Sequence, residues 1–267
     1  MIPSGEIRDS ARVFGVPISS IERDYAQGWV LSGLAGVDMS FKGGTALKKI
    51  YFGDKYRFSD DLDFTLLKGY GLEELEKEIK SIVTDLKKDT GIDFENGTES
   101  EKSDTGYVIY IKFRITNKTG SPIKIKLDIS LPENEILLAR HEKKEIINNY
   151  SDGIKGRITA YTLEEITAEK IRSCFQRTRP RDIYDLKFLR ERADMNAVNG
   201  MLEKKFVFKG IEPDIKGLIS RKEDFRNAWE NSLKHQMKTV PEFDGVFDVI
   251  QTMMNEMTYI KNYKLNK

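Results

Sequence analysis

The sequence predicts an α+β protein, in which a mixed sheet with flanking helices is followed by a mainly helical region. Apolar and polar residues alternate over 107–115 and 123–130, which is typical of strands with one buried face. A mostly apolar run over 61–67 predicts a further, buried strand. Beyond Pro132 the apolar residues recur at helical spacing instead, so the sheet is expected to end before that point.

The first predicted domain spans residues 1–135. In order, its predicted elements are a helix over 18–34, a short strand over 39–41, a short helix over 45–51, the strand over 61–67, an amphipathic helix over 72–86, an exposed polar loop over 95–105, and the strands over 107–115 and 123–130. Good turn chemistry between the last two strands, at Asn117-Lys118-Thr119-Gly120, predicts an antiparallel hairpin.

The second predicted domain spans residues 136–267 and is mainly helical. Its predicted helices cover 163–177, 180–193, 225–237 and 246–259. Thr162 and Glu165 form a capping-box pattern at the start of the first of these helices, and Pro180 fits the first turn of the next.

Composition narrows the class of protein and the kind of metal site. The chain has 267 residues, of which 39% are hydrophobic and 33% charged, a balance typical of a globular protein. One cysteine, Cys174, allows no internal disulfide and fits a cytoplasmic location. There is no apolar run of membrane-spanning length and no secretory signal at the start, so we expect no membrane partner. Two histidines and one cysteine argue against a structural zinc site, so a bound metal is expected to be Mg²⁺ or Mn²⁺ held by oxygen.

Two carboxylates form the centre of the predicted site. On a strand, Asp61 and Asp63 point to the same face, where their charges repel unless a cation lies between them. Asp128, on the polar face of a second strand, is a candidate third carboxylate. Three carboxylates can hold two Mg²⁺ ions for an in-line displacement at phosphorus. A lone Asp-x-Asp is more often structural, so this pair needs support from other residues.

The glycine pair supplies that support. Gly43 and Gly44 stand at a strand-to-helix junction, where a bare backbone can approach a triphosphate and its N–H groups can bind phosphate oxygens. Thr45 adds a hydroxyl donor. A lone Gly-Gly is usually a turn, but a glycine pair followed by Asp-x-Asp on a strand and then by Lys-x-Asp on another strand is far more specific.

A second group of charges falls inside the apolar stripes of two predicted helices. Lys170 and Arg177 lie in the stripe of the helix over 163–177, and Asp182 and Asp185 lie in that of the next helix. Inward charges need a partner or a ligand. One interpretation is a structural salt bridge, Lys170 with Asp182 or Arg177 with Asp185. The other places Lys170 on a triphosphate and Asp182 as a base near the acceptor hydroxyl.

A run of basic side chains on the predicted hairpin has two interpretations. It is either a phosphate-facing surface or a solvated face of the hairpin. Its members are Lys112, Arg114, Lys118, Lys124 and Lys126.

These motifs together resemble the AbiEii/AbiGii toxin family, the nucleotidyltransferase toxins of type IV abortive-infection toxin–antitoxin systems. The matching blocks are Ile21-Glu22-Arg23-Asp24-Tyr25, Phe41-Lys42-Gly43-Gly44-Thr45-Ala46-Leu47, Arg57-Phe58-Ser59-Asp60-Asp61-Leu62-Asp63, Lys126-Leu127-Asp128-Ile129, Ala168-Glu169-Lys170-Ile171 and the run from Arg177 to Leu186. The glycine and Asp-x-Asp blocks are shared with the wider DNA polymerase β-like superfamily. The Arg181-Asp182-x-x-Asp185-Leu186 block narrows the resemblance to this family.

The resemblance implies a polymerase β-like nucleotidyltransferase core with a helical C-terminal half. Members transfer a nucleoside monophosphate from an NTP, and some act on tRNA 3′ ends. Carried over by position, the resemblance implies that Gly43, Gly44 and Thr45 contact the triphosphate and that Asp61 and Asp63 hold the metal. It also implies that Lys170 is the phosphate-binding lysine and Asp182 the catalytic acid of the second site. The chain departs from the family pattern at Lys48-Lys49, where one small or polar residue is expected first.

We therefore predict a Mg²⁺-dependent nucleotidyltransferase whose active site lies in the cleft between the two domains. Its acceptor is expected to be an RNA end, with tRNA favoured, and Arg57 and Lys170 offset the developing negative charge. The residues predicted to bind the nucleotide are Gly43, Gly44, Thr45, Lys48, Arg57, Ser59 and Lys170. The family also implies a cognate antitoxin, which need not touch the toxin.

Other functions remain open from the sequence. The same metal site is compatible with a kinase or with a nucleotidyltransferase acting on a small molecule, and the fold is compatible with a non-catalytic nucleotide- or RNA-binding module. The intact glycine pair and Asp-x-Asp motif argue against the last of these.

Overall fold

The computed structural model describes residues 1–265, which form two compact units. The first unit comprises Met1–Glu135 together with His141–Tyr161, and the second comprises Ile136–Arg140 and the chain from Thr162 onward. The predicted α+β class is confirmed, because one unit contains a mixed sheet with flanking helices and the other is helical. In the described part of the chain, no helix is both long enough and apolar enough to cross a membrane.

The first unit is built on a seven-stranded mixed sheet. Its strands are β1 (Met39–Lys42), β2 (Asp61–Leu66), β3 (Asp93–Ser103), β4 (Gly106–Arg114), β5 (Ile123–Ser130), β6 (Glu142–Glu145) and β7 (Arg157–Ala160), and their spatial order is β3-β4-β5-β2-β1-β7-β6. Strand β2 lies at the centre, antiparallel to β1 and parallel to β5. The antiparallel hairpin predicted from the turn sequence is confirmed as β4–β5.

The helices of this unit leave one face of the sheet polar. They are α1 (Ser4–Phe14), α2 (Ile18–Gly33), α3 (Gly43–Ala46) and α4 (Leu72–Thr90), and a π-helical segment, Leu47–Phe52, follows α3. Helix α4 packs on the apolar face, where its Glu76 accepts hydrogen bonds from Thr98 and Ser100 of β3. Because side chains alternate along strands, the residues between these positions project from the opposite, polar face.

The predicted loop over 95–105 is wrong, because most of it belongs to strand β3 at the edge of the sheet. An edge strand pairs on one side only and tolerates polar side chains, so its composition resembled that of a loop. A bulge between Phe94 and Thr98 also breaks the alternation, and Gly97 within it has a φ of 156°.

The second unit consists of helices around an apolar core. Its helices are α5 (Leu163–Gln176), α6 (Pro180–Leu189), α7 (Met195–Lys209), α8 (Ile215–Ser220), α9 (Lys222–Leu233), α10 (Phe243–Glu256) and α11 (Thr258–Leu265). The sequence predicted α5, α6, α9 and α10 with shifted ends, and it missed α7, α8 and α11. Rings from α9 and α10 pack together at Trp229, Phe243 and Phe247.

Candidate active site

The Asp-x-Asp pair lies at the start of β2, on the polar face of the sheet. Asp61 and Asp63 are half-buried, whereas Leu62 and Phe64 between and beyond them are fully buried in the core. The alternation fixes the strand from its apolar side and leaves both carboxylates on the other. The predicted same-face geometry therefore follows from the register of β2.

Strand pairing brings further charges beside this pair. In the parallel β2–β5 register, Asp61 faces Lys126 and Asp63 faces Asp128. On the other side of β2, Lys42 of β1 faces Asp63. Asp63 is thus the middle residue of a row that crosses three neighbouring strands, and Asp128 stands where the third carboxylate was predicted.

The glycine pair lies directly against the carboxylates and a buried arginine. Gly43 has a φ of 79°, and a Cβ built on it would lie 2.2 Å from Oδ2 of Asp63. A Cβ on Gly44 would lie 2.7 Å from Nη2 of Arg57 and 3.2 Å from Oγ of Ser59. Only a bare backbone fits here, so the structure brings both glycines together with three of the predicted site residues.

Thr45 connects the glycine turn to the carboxylate strand. Its Oγ1 donates a short hydrogen bond to the backbone carbonyl of Asp61. Thr45 is almost fully buried, so this bond ties α3 to β2 and fixes the distance between the two motifs. Arg57 is also buried and donates from Nη1 to the carbonyl of Phe58 at 3.2 Å.

Lys48 points away from the row of carboxylates. Its Nζ lies 3.3 Å from the carbonyl oxygen of Gly53, 3.5 Å from Oδ1 of Asp54 and 4.2 Å from the ring centre of Phe58. It lines a small cavity of about 40 Å³ with its neighbour Lys49. The structure therefore does not bring Lys48 together with the other predicted nucleotide-binding residues.

The residues present fit a divalent cation that also binds a nucleotide. Among residues 1–265, no group of three or more His, Cys, Asp or Glu side chains could hold a metal ion by itself. Mg²⁺, however, is commonly held by one or two carboxylates, with phosphate oxygens and water completing the octahedron. Asp61 and Asp63 supply the two carboxylates of that description, and both are half-buried beside the glycine turn. Asp128 is engaged by Lys126, whose Nζ donates to its Oδ2 at 2.7 Å.

Partial burial alone would lower the pKa of Lys126. The hydrogen bond to Asp128 and the charges of Asp128 and Asp61 outweigh this effect and leave the pKa of Lys126 raised. The Lys126 ammonium therefore stays protonated in the presence of both carboxylates.

The second predicted cluster forms within the helical unit. Lys170 Nζ lies 2.7 Å from Oδ1 of Asp182 and 2.7 Å from Oδ2 of Asp185. Nε of Arg177 lies 3.1 Å from Oδ2 of Asp182. The Lys170–Asp182 pair expected from the helical stripes is therefore present.

The charges in this cluster determine how Asp182 can act. Burial alone would raise the pKa of Asp182, but the charges of Lys170 and Arg177 outweigh it and hold that pKa well below its usual range. A carboxylate of this kind is a weak proton acceptor at neutral pH. Cys174, which lies on α5 with Lys170, is fully buried, and burial raises the pKa of its thiol, so it packs as a core residue.

A sequence model of the family described as nucleotidyl transferase AbiEii toxin, type IV toxin–antitoxin system, matches residues 30–249. The chain belongs to this family. It is therefore a nucleotidyltransferase, and the AbiEii family implies an NTP substrate and an antitoxin partner. No curated protein matches the chain significantly.

Solved structures support the fold of this AbiEii-family chain. MenT4, a nucleotidyltransferase toxin from Mycobacterium tuberculosis, is 18% identical with a TM-score of 0.67, and the match covers 98% of this chain and 93% of MenT4. JHP933 from Helicobacter pylori is 18% identical with a TM-score of 0.59, covering 94% of this chain and 98% of JHP933. A nucleotidyltransferase-like protein from H. pylori is 21% identical with a TM-score of 0.58, and the match covers 93% of this chain and 97% of that protein. At these identities the likeness shows the fold.

Sequence reasoning missed a buried polar group beside the carboxylates of this AbiEii-family chain. Lys42, almost fully buried, donates to Oε1 of Glu135 at 3.0 Å and to Oγ of Ser130 at 3.3 Å. Nearby, His141 is half-buried, with its Nδ1 2.9 Å from Oγ of Ser40. The position of Lys42 in the sequence, immediately before the glycine pair, could have indicated that its side chain lies near the carboxylates.

The basic residues of the hairpin are matched by acidic residues of β3. Lys112 and Lys124 both pair with Glu99, and Arg114 pairs with Glu95 at 2.8 Å. These pairs offset much of the positive charge on which the phosphate-facing interpretation depended, which favours the solvated face.

Proposed function

We propose that this AbiEii-family enzyme is Mg²⁺-dependent and transfers a nucleoside monophosphate from an NTP to a hydroxyl at an RNA end, with tRNA as the favoured acceptor. The observation that carries the proposal is the contact of Gly43 with Asp63. It places a backbone that admits phosphate against a carboxylate suited to a divalent cation.

The reaction is an in-line displacement at the α-phosphorus. The acceptor oxygen forms a bond to that phosphorus while the bond to the bridging oxygen of the β-phosphate breaks. Pyrophosphate leaves with the bridging oxygen, and the hydroxyl proton passes to water. When bound, Mg²⁺ neutralises phosphate charge and favours ionisation of the attacking hydroxyl.

The residues of the first unit divide this work. Asp61 and Asp63 are the proposed ligands of the cation, and the Gly43–Gly44 backbone is proposed to bind phosphate oxygens. The buried guanidinium of Arg57, next to Gly44, offsets the charge that develops as pyrophosphate leaves.

The residues of the second unit have proposed roles that follow from their own cluster. Lys170 is proposed to bind phosphate. Because the pKa of Asp182 is held low, we propose that Asp182 orients Lys170 rather than accepting the acceptor proton.

The first experiment replaces Asp63 with Ala and measures transfer to total cellular RNA with α-labelled and γ-labelled NTPs. Asp63→Ala is expected to reduce transfer by at least about 1,000-fold, because removing a ligand removes the cation that stabilises the transition state. Asp60→Ala is the matched control, since its carboxylate instead pairs with Arg23 at 2.6 Å. Near wild-type transfer by Asp63→Ala would contradict the assignment.

The same experiment separates the alternative functions. Nucleotidyl transfer leaves the α label on the acceptor, whereas a kinase leaves the γ label there. Sequencing of RNA 3′ ends after expression of the enzyme identifies the acceptor, and added nucleotides on tRNA are expected. If the α label appears on small molecules and not on RNA, the proposal that RNA is the acceptor is contradicted. If the protein binds Mg²⁺-NTP without transferring any label, the proposal that it acts as an enzyme is contradicted.

A further inference from the structure

Lys126 lies among the carboxylates without a role in the proposed reaction. It faces Asp61 across the β2–β5 pair, and its ammonium donates to Oδ2 of Asp128 at 2.7 Å. Asp128 in turn faces Asp63. The ammonium of Lys126 therefore lies within the group of carboxylates at which a divalent cation is proposed to bind.

An ammonium and a divalent cation compete for the same carboxylate oxygens. Two like charges a few ångströms apart repel strongly, so an ammonium that already donates to a carboxylate weakens the binding of a divalent cation at the same oxygens. In the absence of nucleotide, the Lys126–Asp128 pair lowers the negative charge that a free cation would meet. This reduces the gain in free energy when a free cation binds.

The pair is exposed enough to rearrange. The side chains of Lys126 and Asp128 are 32% and 36% exposed. Ion pairs this exposed stabilise a protein only weakly, and the lysine side chain is long and flexible, so its ammonium can exchange one acceptor for another at little cost in free energy. Phosphate oxygens of a nucleotide are alternative acceptors for the same ammonium.

We propose that Lys126 is a positioning residue that holds Asp128 away from the cation until a nucleotide is present, which makes cation binding depend on nucleotide. The ammonium transfers from Asp128 to the phosphates of the incoming nucleotide, and Asp128 becomes available to the cation. Because binding free energies are linked, the cation tightens nucleotide binding by the same factor as the nucleotide tightens cation binding. This inference rests on the proposed metal site.

The test measures the affinity of the full-length protein for Mn²⁺ by electron paramagnetic resonance, without nucleotide and with a non-hydrolysable NTP analogue. Lys126→Met is expected to bind free Mn²⁺ about tenfold more tightly than the wild type. With the analogue present, the two proteins are expected to differ by less than about threefold, because the ammonium has then already left Asp128.

Lys124→Met is the matched control. Lys124 lies two positions before Lys126 on the same face of β5, and its ammonium pairs with Glu99 at 3.4 Å instead of with Asp128. The substitution therefore removes the same charge without affecting Asp128 directly. Its Mn²⁺ affinity is expected to equal that of the wild type. An equal gain in Lys124→Met would show a general effect of net charge and would overturn the proposal.

A double variant tests whether the effect passes through Asp128. Lys126→Met combined with Asp128→Asn is expected to lose the tenfold gain, whereas retention of the gain would overturn the proposal. Unchanged Mn²⁺ affinity in Lys126→Met would also overturn it. Circular dichroism verifies that each variant is folded.

Asp63→Ala separates this inference from the proposed function. If Asp63→Ala abolishes Mn²⁺ binding while Lys126→Met changes nothing, the metal site stands and the role of Lys126 is refuted. If Asp63→Ala leaves Mn²⁺ binding unchanged, the proposed metal site itself is refuted.

Discussion

The backbone of Gly43 and the carboxylate of Asp63 are in contact so close that a Cβ on the glycine would lie 2.2 Å from Oδ2 of the aspartate. This contact joins two motifs that are separate in the sequence. Gly43 directly follows strand β1, whose antiparallel pairing with β2 sets Lys42 opposite Asp63. The pairing of two strands therefore determines the distance between the glycine turn, which is proposed to bind phosphate, and the carboxylate of Asp63.

The first prediction is that Gly43→Ala reduces nucleotide transfer at least about 100-fold while the protein still folds. The added methyl group must displace the carboxylate of Asp63, and an ångström of displacement at a reacting centre costs about 100-fold in rate. The left-handed φ of 79° adds about 1–2 kcal/mol of strain. Steady-state transfer and thermal unfolding are measured on the same preparation.

Gly91→Ala is the control for backbone strain in that experiment. Gly91 has a φ of 70°, and in the described part of the chain no heavy atom lies within 4 Å of a Cβ built there. It therefore carries a similar strain without the clash, and its transfer rate is expected to remain within about twofold of the wild type. Equal losses of transfer in both variants would refute the role of the Gly43–Asp63 contact.

The second prediction concerns the stability of the cluster around Asp182. Asp182→Asn leaves the buried Lys170 with one fewer charged partner, and breaking a buried pair destabilises by about 3 kcal/mol. Urea unfolding of both proteins at several pH values measures this difference. Asp85→Asn is the control, because its pair with Lys88 is exposed, and it is expected to change the free energy of unfolding by less than about 0.5 kcal/mol.

The pH dependence of this difference has a definite sign. The pKa of Asp182 is lowered in the folded protein and returns to about 3.9 in the unfolded chain. The carboxylate therefore contributes its full stabilisation above pH of about 4, and this contribution is lost as the pH falls towards the lower folded pKa. A difference between Asp182→Asn and wild type that shrinks between about pH 8 and pH 6 would contradict this assignment of charges.

The sequence was sufficient to predict the strand that carries Asp61 and Asp63 and the strands beside it, because their signals are local. Asp61 and Asp63 alternate with buried Leu62 and Phe64, and that alternation alone puts the carboxylates on one face. The two charged helices of the second unit were also predictable, since Lys170 falls within an apolar stripe and needs a partner.

Contacts between distant segments could not be predicted from the sequence. The position of Lys126 opposite Asp61 depends on the parallel register of β2 and β5, which no local pattern encodes. Lys205 of α7 is buried against Glu165 and Glu169 of α5, although α7 itself was not predicted. An edge strand such as β3 has too little apolar alternation to be distinguished from a loop.

The third prediction separates two basic residues, Lys48 and Arg57, that the sequence predicts to bind the nucleotide. Lys48 was predicted to bind nucleotide, but its ammonium is directed to the carbonyl of Gly53 and the ring of Phe58. We expect Lys48→Met to lower the unfolding temperature while changing the KM for NTP by less than about twofold. Arg57→Lys, which removes the planar guanidinium beside Gly44, is expected to reduce kcat/KM by about 10–100-fold with little change in unfolding temperature.

The comparison is informative because both side chains are buried and cationic, with exposures of 3% each. A role confined to packing or charge burial would affect the two variants alike in stability and leave the kinetics of both unchanged. Only a group aimed at the phosphate turn changes kcat/KM without unfolding the protein. A large rise in KM for Lys48→Met would place its ammonium on the nucleotide and would mean that its contacts with Gly53 and Phe58 break when NTP binds.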